Sequence, residues 1–428
     1  VTGLVPRVRD ALRAGPVVVS LGIAVLGLAA YGVLTVAARS LTAADFSTFA
    51  AAWSLLFAVS GGFFLPLEQE TTRAVAARRA RGHDIGPAVR RVAILGAVVV
   101  TVLTVLLAAL SGLLRDRVLA GRSELLAVLV VAFPVLAGLH VVRGALAGTR
   151  RLGSYALVLS GEGLTRLVAV VLLAAAGAAT TGSLALAVAA APLLVIPLAA
   201  ARVPRGRGAH VPGAWPEVTQ NLAWLVVASV VAQGLANAGP IVLQVIGPAD
   251  ADLAGRFLAA FVVVRLPLFF TGALQASLLP RLVHAAERRD RSAFMHALGR
   301  VLALVGVLGG AALLVLLAAG PALVSLFFGP SYVVARLDMT VLGASSVLLL
   351  LAALLQSAVV ALRGHRTVAL CWAAAAVVFV AGCTLPLEPL LRVEVAYVLA
   401  SLVVVGALLA ALIRVLPAMM HGEPSTGG

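Results

Sequence analysis

Arg143-Gly144-Ala145-Leu146-Ala147-Gly148-Thr149-Arg150-Arg151 closes one long apolar run and opens the next. Its middle returns as Ala361-Leu362-Arg363-Gly364-His365-Arg366, at an offset of 216 from Ala145. A second pair, Asp45 to Ala52 (DFSTFAAA) and Asp252 to Ala260 (DLAGRFLAA), precedes the first at an offset near 208. Each member of that pair sits in an apolar run that leads into a long arginine-rich loop. Alone, either match is weak in a chain biased to Ala, Leu and Arg. Their shared order and placement imply an internal repeat. The repeat divides the chain into a bundle over 1–205, a cytoplasmic linker over 206–218, and a second bundle over 219–428.

Around these segments the chain is apolar almost throughout. It is 62% hydrophobic and 11% charged, with mean hydropathy +1.11. A soluble chain has no core large enough for that surface, whereas lipid solvates it. The runs exceed the roughly 9–11 residues of a barrel strand, so the spans are helices that satisfy their own backbone. Twelve are read, over 15–38, 46–67, 91–114, 124–147, 154–177, 181–201, 219–246, 253–279, 299–320, 337–362, 367–385 and 393–415. The first follows Arg7, Arg9 and Arg13 and is too long for a signal-peptide core, which reads as a retained helix. The expected fold is an all-α polytopic membrane protein. Its two six-helix bundles have equal orientation and surround a central cavity by pseudo-two-fold symmetry.

All 32 basic residues are arginine. Of these, 22 fall in alternate gaps and termini on one side and 7 in the gaps opposite, which puts both termini in the cytoplasm. The net charge of +15 is thus a matter of topology and not of nucleic acid. Two inside segments, 68–90 and 280–298, are basic and helical in pattern and are expected to lie along the membrane surface. Cys371 and Cys383 share a helix about 18 Å apart and cannot bridge.

Ionisable groups inside a membrane are costly and need an explanation. Glu162 and Arg166 are spaced i, i+4, either as a self-neutralised pair or as a cavity wall where Arg166 meets an anion. Arg265 lies mid-helix before Pro267, with no carboxylate within four residues. It faces water or an anion, or pairs with Glu162 or Glu68. Gln233 and Asn237 share a helix face, as a bridge between helices or as substrate contacts. Glu68 and Glu70 are interfacial partners of Arg73, or a gate. Arg143, near His140, either snorkels to the interface or belongs to that gate. No Gly-rich phosphate loop, metal-ligand spacing or catalytic Ser/His/Asp arrangement occurs. An enzyme, a metal and a cofactor are therefore not expected.

The segment from Arg143-Gly144 through Gly148-Thr149-Arg150-Arg151 and Tyr155 to Glu162-Gly163 and Arg166 resembles helices 4 and 5 of polysaccharide flippases of the MOP exporter superfamily. Leu326-Phe327-Phe328-Gly329-Pro330-Ser331-Tyr332 is similar to the turn before their helix 10. Arg39 to Phe46 is similar to their first outer loop, and Pro267 and Pro280 fit helix 8. The resemblance implies flipping of isoprenoid-pyrophosphate-linked oligosaccharide between leaflets by alternating access, driven by an ion gradient or the membrane potential. It implies Arg265 as a cavity residue, while the lack of arginine in mid-membrane on helices 1 and 2 departs from the lipid II branch. Membrane lipids, a polysaccharide polymerase and glycosyltransferases are the partners to expect, at the plasma membrane. A MATE-like multidrug exporter is the second reading. A membrane-embedded glycan-assembly enzyme or a scaffold is the third.

Overall fold

The computed structural model describes residues 15–204, 209, 222–247, 252–265, 278, 282, 284–286, 288–362 and 364–421. Expectations that fall on Arg7, Arg9, Arg13, Arg205, Arg207, Pro267, Pro280, Arg281, Arg363 and most of the linker lie outside them.

The fold is all-α. Its helices are α1 Gly15–Ser40, α2 Ala43–Ala80, α3 Gly86–Ala109, α4 Glu124–Gly148, α5 Leu152–Ala175 and α6 Thr181–Ala200. These are followed by α7 Leu222–Ile246, α8 Leu253–Val264, α9 Arg291–Phe328, α10 Arg336–Ala361, α11 His365–Gly382 and α12 Pro389–His421. Among the described residues ten helices are long and apolar enough to cross a membrane, with shorter apolar helices at Leu253–Val264 and Arg366–Gly382. The outward rows of α3 (Val98, Val102, Val105) and α9 (Leu304, Val307, Leu308) are exposed and apolar, as lipid contact requires.

Two compact units are present, Val1–Gly255 and Arg256–Gly428. In the first, α1 lies along α5, and α4 packs against α2 and α3. Glycines set the approach, because without a hydrophobic driving force helices in lipid gain most from close backbones. Gly144 and Gly148, four apart on α4, face α2. A Cβ would lie 2.5 Å from the Glu68 carbonyl at the first and 2.7 Å from the Thr72 carbonyl at the second. Thr72 then donates its hydroxyl to the Gly144 carbonyl at 3.3 Å. In the second unit α10 and α11 both pack on α12, and α9 on α10. Its core holds an aromatic cluster of Phe257, Phe261, Phe379 and Tyr397, with ring centroids 4.8–6.2 Å apart.

Two expectations are corrected. The 68–90 segment does not leave α2 for the membrane surface. The helix runs on to Ala80 and buries Glu68, Glu70, Thr71, Val75 and Arg78. At 38 residues its contour is about 57 Å, well beyond the roughly 30 Å of hydrocarbon. Likewise α9 begins at Arg291, where Asp290 caps it by accepting the Ala293 N–H at 2.9 Å. Hydropathy ends a helix where charge begins, but a charged side chain with a partner in the bundle lets the helix continue. The two matched turns also share one hydrogen-bond form. Arg151 N–H donates to Leu146 and Gly364 N–H to Val359, each across five residues. The two turns are therefore related by an offset of 213, three less than the sequence match. Gly148 ends up packed on α2, whereas Gly364 caps α11.

Candidate functional site: a buried polar network

Within the first unit, α2, α4, α5 and α6 converge on one charged cluster. A five-residue π-turn, Ser60-Gly61-Gly62-Phe63-Phe64, interrupts α2 just before Glu68. Such bulges widen a helix and often mark functional positions. Here the turn aims Ser60 at α4 and leaves Gly61 open to α7, where a Cβ would meet Gln233 Cδ at 2.6 Å.

Glu68 is the hub. Its Oε2 lies 2.7 Å from His140 Nδ1 and 3.1 Å from Arg143 Nε. Its Oε1 accepts the Tyr155 hydroxyl at 2.6 Å. Arg143 reaches on to Glu162, Nη1 to Oε2 at 3.3 Å, and its guanidinium lies 5.6 Å from the Tyr155 ring centroid. Glu162 Oε1 pairs with Arg166 Nη1 at 2.7 Å. Arg166 ends the chain by donating Nε–H to the Val188 carbonyl at 2.9 Å and resting over Phe57. At the other end His140 Nε2 meets Ser60 Oγ at 3.2 Å. Glu68, His140, Arg143, Glu162 and Arg166 are all buried. Two carboxylates face two guanidiniums, so the ionised groups balance without counting His140. A cluster of this kind is tolerable only when every member is partnered.

His140 faces Glu68 through Nδ1 and the Ser60 hydroxyl through Nε2.

The network gathers four residues marked by the sequence, Glu68, Arg143, Glu162 and Arg166. Arg143 does not snorkel, because its carboxylate partners lie inward. Glu70 takes Arg73 as its partner at 2.6 Å. Gln233 stands beside the π-turn, and Asn237 donates to the Gln233 carbonyl at 2.9 Å. In the second unit the Arg265 guanidinium stacks on Phe261, 3.7 Å from the ring centroid. His140, Ser60 and Tyr155 complete the network, and no local pattern ties them to Glu68. A small apolar pocket lined by Phe49, Trp53, Leu56, Leu129 and Val188 adjoins the Arg166 end. Among the described residues no cluster of His, Cys, Asp or Glu is suited to a metal.

This arrangement of helices matches solved transporters. The inward-facing conformation of a multidrug resistance MATE family transporter of the MOP superfamily aligns with TM-score 0.75 and 14% identity, over 93% of this chain and 96% of that one. The outward-facing conformation of such a transporter aligns with TM-score 0.64 and 14% identity, over 96% and 97%. A MOP superfamily transporter from Pyrococcus furiosus, described as having a binding pocket of reverse polarity that suggests a different function, gives 0.66 at 14% identity, over 95% and 96%. The protein thus shares the fold of these MATE transporters, and its described residues include ten helices long and apolar enough to cross a membrane. No protein-family model matches the chain. It is 30% identical over 400 residues to Uncharacterized protein Rv3630 of Mycobacterium tuberculosis (strain ATCC 25618 / H37Rv), covering 91% of this chain and 90% of that one. It is 28% identical over 391 residues to Uncharacterized protein Rv1510 of the same strain, covering 90% and 88%. The chain belongs to the family of the Rv3630 protein.

Proposed function

We propose that this protein is a membrane transporter that flips isoprenoid-pyrophosphate-linked oligosaccharide from the inner to the outer leaflet by alternating access. The observation that carries the reading is the charge of the buried network. Its two carboxylates are matched by two guanidiniums, which leaves no surplus negative charge for an organic cation. Arg265 supplies a further intramembrane cation with a planar fork that suits pyrophosphate oxygens. The fold supports transport in general, since proteins of this fold are described in inward-facing and outward-facing conformations. In this reading Arg265, Arg166, Glu162, Gln233 and Asn237 contact substrate, and Glu68 with Arg143 forms the inner gate. The protein resides in the plasma membrane with both termini cytoplasmic. It draws on an ion gradient or the membrane potential and works beside a polysaccharide polymerase and glycosyltransferases.

The test is flipping of a fluorescent isoprenoid-pyrophosphate oligosaccharide in proteoliposomes. The wild type is expected to move it, and Arg265→Ala to lose about tenfold in rate, on the order of 1.4 kcal/mol, while eluting as a folded protein. Normal flipping by that variant removes Arg265 from the site. A multidrug exporter is the second reading, favoured by the multidrug resistance transporters that share the fold. Efflux of organic cations without glycan flipping would establish it.

A further inference from the structure

Among the described residues three other than glycine have positive φ: Ala120 at 49°, Arg150 at 58° and Arg289 at 56°. Arg150 lies just after α4 and Arg289 just before α9, and at both left-handed positions the next N–H reaches back five residues. Arg151 N–H donates to Leu146, and Asp290 N–H to Ala285. Glycine is the usual occupant of that position, because a Cβ is crowded there. The α2–α3 turn follows the rule with Gly82 at φ 70° and His83 N–H donating to Arg78. At the place in the α10–α11 turn that corresponds to Arg150, between Leu362 and Gly364, the sequence again has arginine, Arg363.

Topology accounts for positive charge on this side, but not for its placement at a strained position. Arg151 next door delivers a charge without the strain. The side chains of Arg150, Arg151, Arg288 and Arg289 are exposed and make no ion pair or hydrogen bond among the described residues. Arg79 donates to the Thr149 carbonyl, which pins a third guanidinium beside Arg150 and Arg151. This turn ends a helix of membrane-crossing length and so lies at headgroup depth.

We propose that the α4–α5 turn, through Arg79, Arg150 and Arg151, is a binding site for the phosphate headgroup of an anionic phospholipid. The left-handed turn projects Arg150 for that purpose at a cost in stability. Guanidinium forks match phosphate oxygens in pairs, and one charge near an anionic surface contributes about a fivefold gain in binding.

The experiment uses the full chain in detergent, with phosphatidylglycerol and phosphatidylcholine as probes in native mass spectrometry. The wild type is expected to retain phosphatidylglycerol preferentially. Arg150→Gly should lose roughly fivefold of that preference and yet melt about 1–3 °C higher, because the strain is relieved. Arg150→Asn, which tolerates the left-handed turn without charge, should lose the preference too, and Arg150→Lys should keep most of it. Unchanged phosphatidylglycerol retention in Arg150→Gly overturns the site. A lower melting temperature in that variant shows that the arginine stabilises the turn, and overturns the strain argument. Displacement of the lipid by millimolar inorganic phosphate would show a free-anion site and overturn the headgroup assignment.

Discussion

The two compact units bury different things. The first holds Glu68, Glu70, Arg78, His140, Arg143, Glu162 and Arg166 out of solvent. Among the described residues of the second, the one buried charged side chain is Glu394, and the aromatic cluster around Tyr397 fills its core. Both are helix bundles with small residues at the crossings. Helical packing of this kind therefore fixes the backbone without fixing what the interior contains. Polar groups in the first unit hold one another by ion pairs and hydrogen bonds. The second unit rests largely on dispersion between rings.

The largest test of this contrast is Glu162→Ala. It strips a partner from both Arg143 and Arg166 and is expected to destabilise the protein by about 3–5 kcal/mol, because buried guanidiniums remain unpaired. Thermal unfolding in detergent reads it, and a melting temperature equal to the wild type would break the comparison. Next come the crossings. Gly144→Ala places a methyl 2.5 Å from the Glu68 backbone carbonyl, which has nowhere to go. A loss of about 1–3 kcal/mol is expected. Gly309→Ala in the second unit meets only the Val347 side chain at 2.7 Å and should cost less, since a rotamer can shift. Equal losses would show that the two crossings do not differ in rigidity. The smallest effect is expected for Glu394→Gln. The Glu394 Oε1 accepts no hydrogen bond among the described residues, so exchanging the carboxyl for an amide should leave stability unchanged or raise it by up to about 1 kcal/mol. A drop of several degrees in that variant would assign Glu394 a partner as firm as those of Glu162.

Much of the architecture was legible because it is written locally. Hydropathy placed twelve helices, with α4 and α5 within a few residues of their observed ends. The i, i+4 spacing of Glu162 and Arg166 anticipated their contact. Other features were hidden for physical reasons. Arg143 reads either as a snorkelling residue or as part of a gate with Glu68, because nothing near it in sequence says that the two side chains touch. The 68–90 segment reads as a surface helix because its charges look solvated until α4 is placed against them. The repeat register slipped by three because a biased composition aligns letters, while the turn hydrogen bonds align geometry.

The sequence by itself determined that this chain lives in a bilayer and crosses it many times as helices. Those properties depend on the solvation of each residue and on its near neighbours. Tertiary structure alone decided which arginines are neutralised, where α2 stops, and that a tyrosine 87 residues from Glu68 closes its coordination. An ion pair between residues on different helices is a property of two positions in space, and no count along the chain records the distance between them.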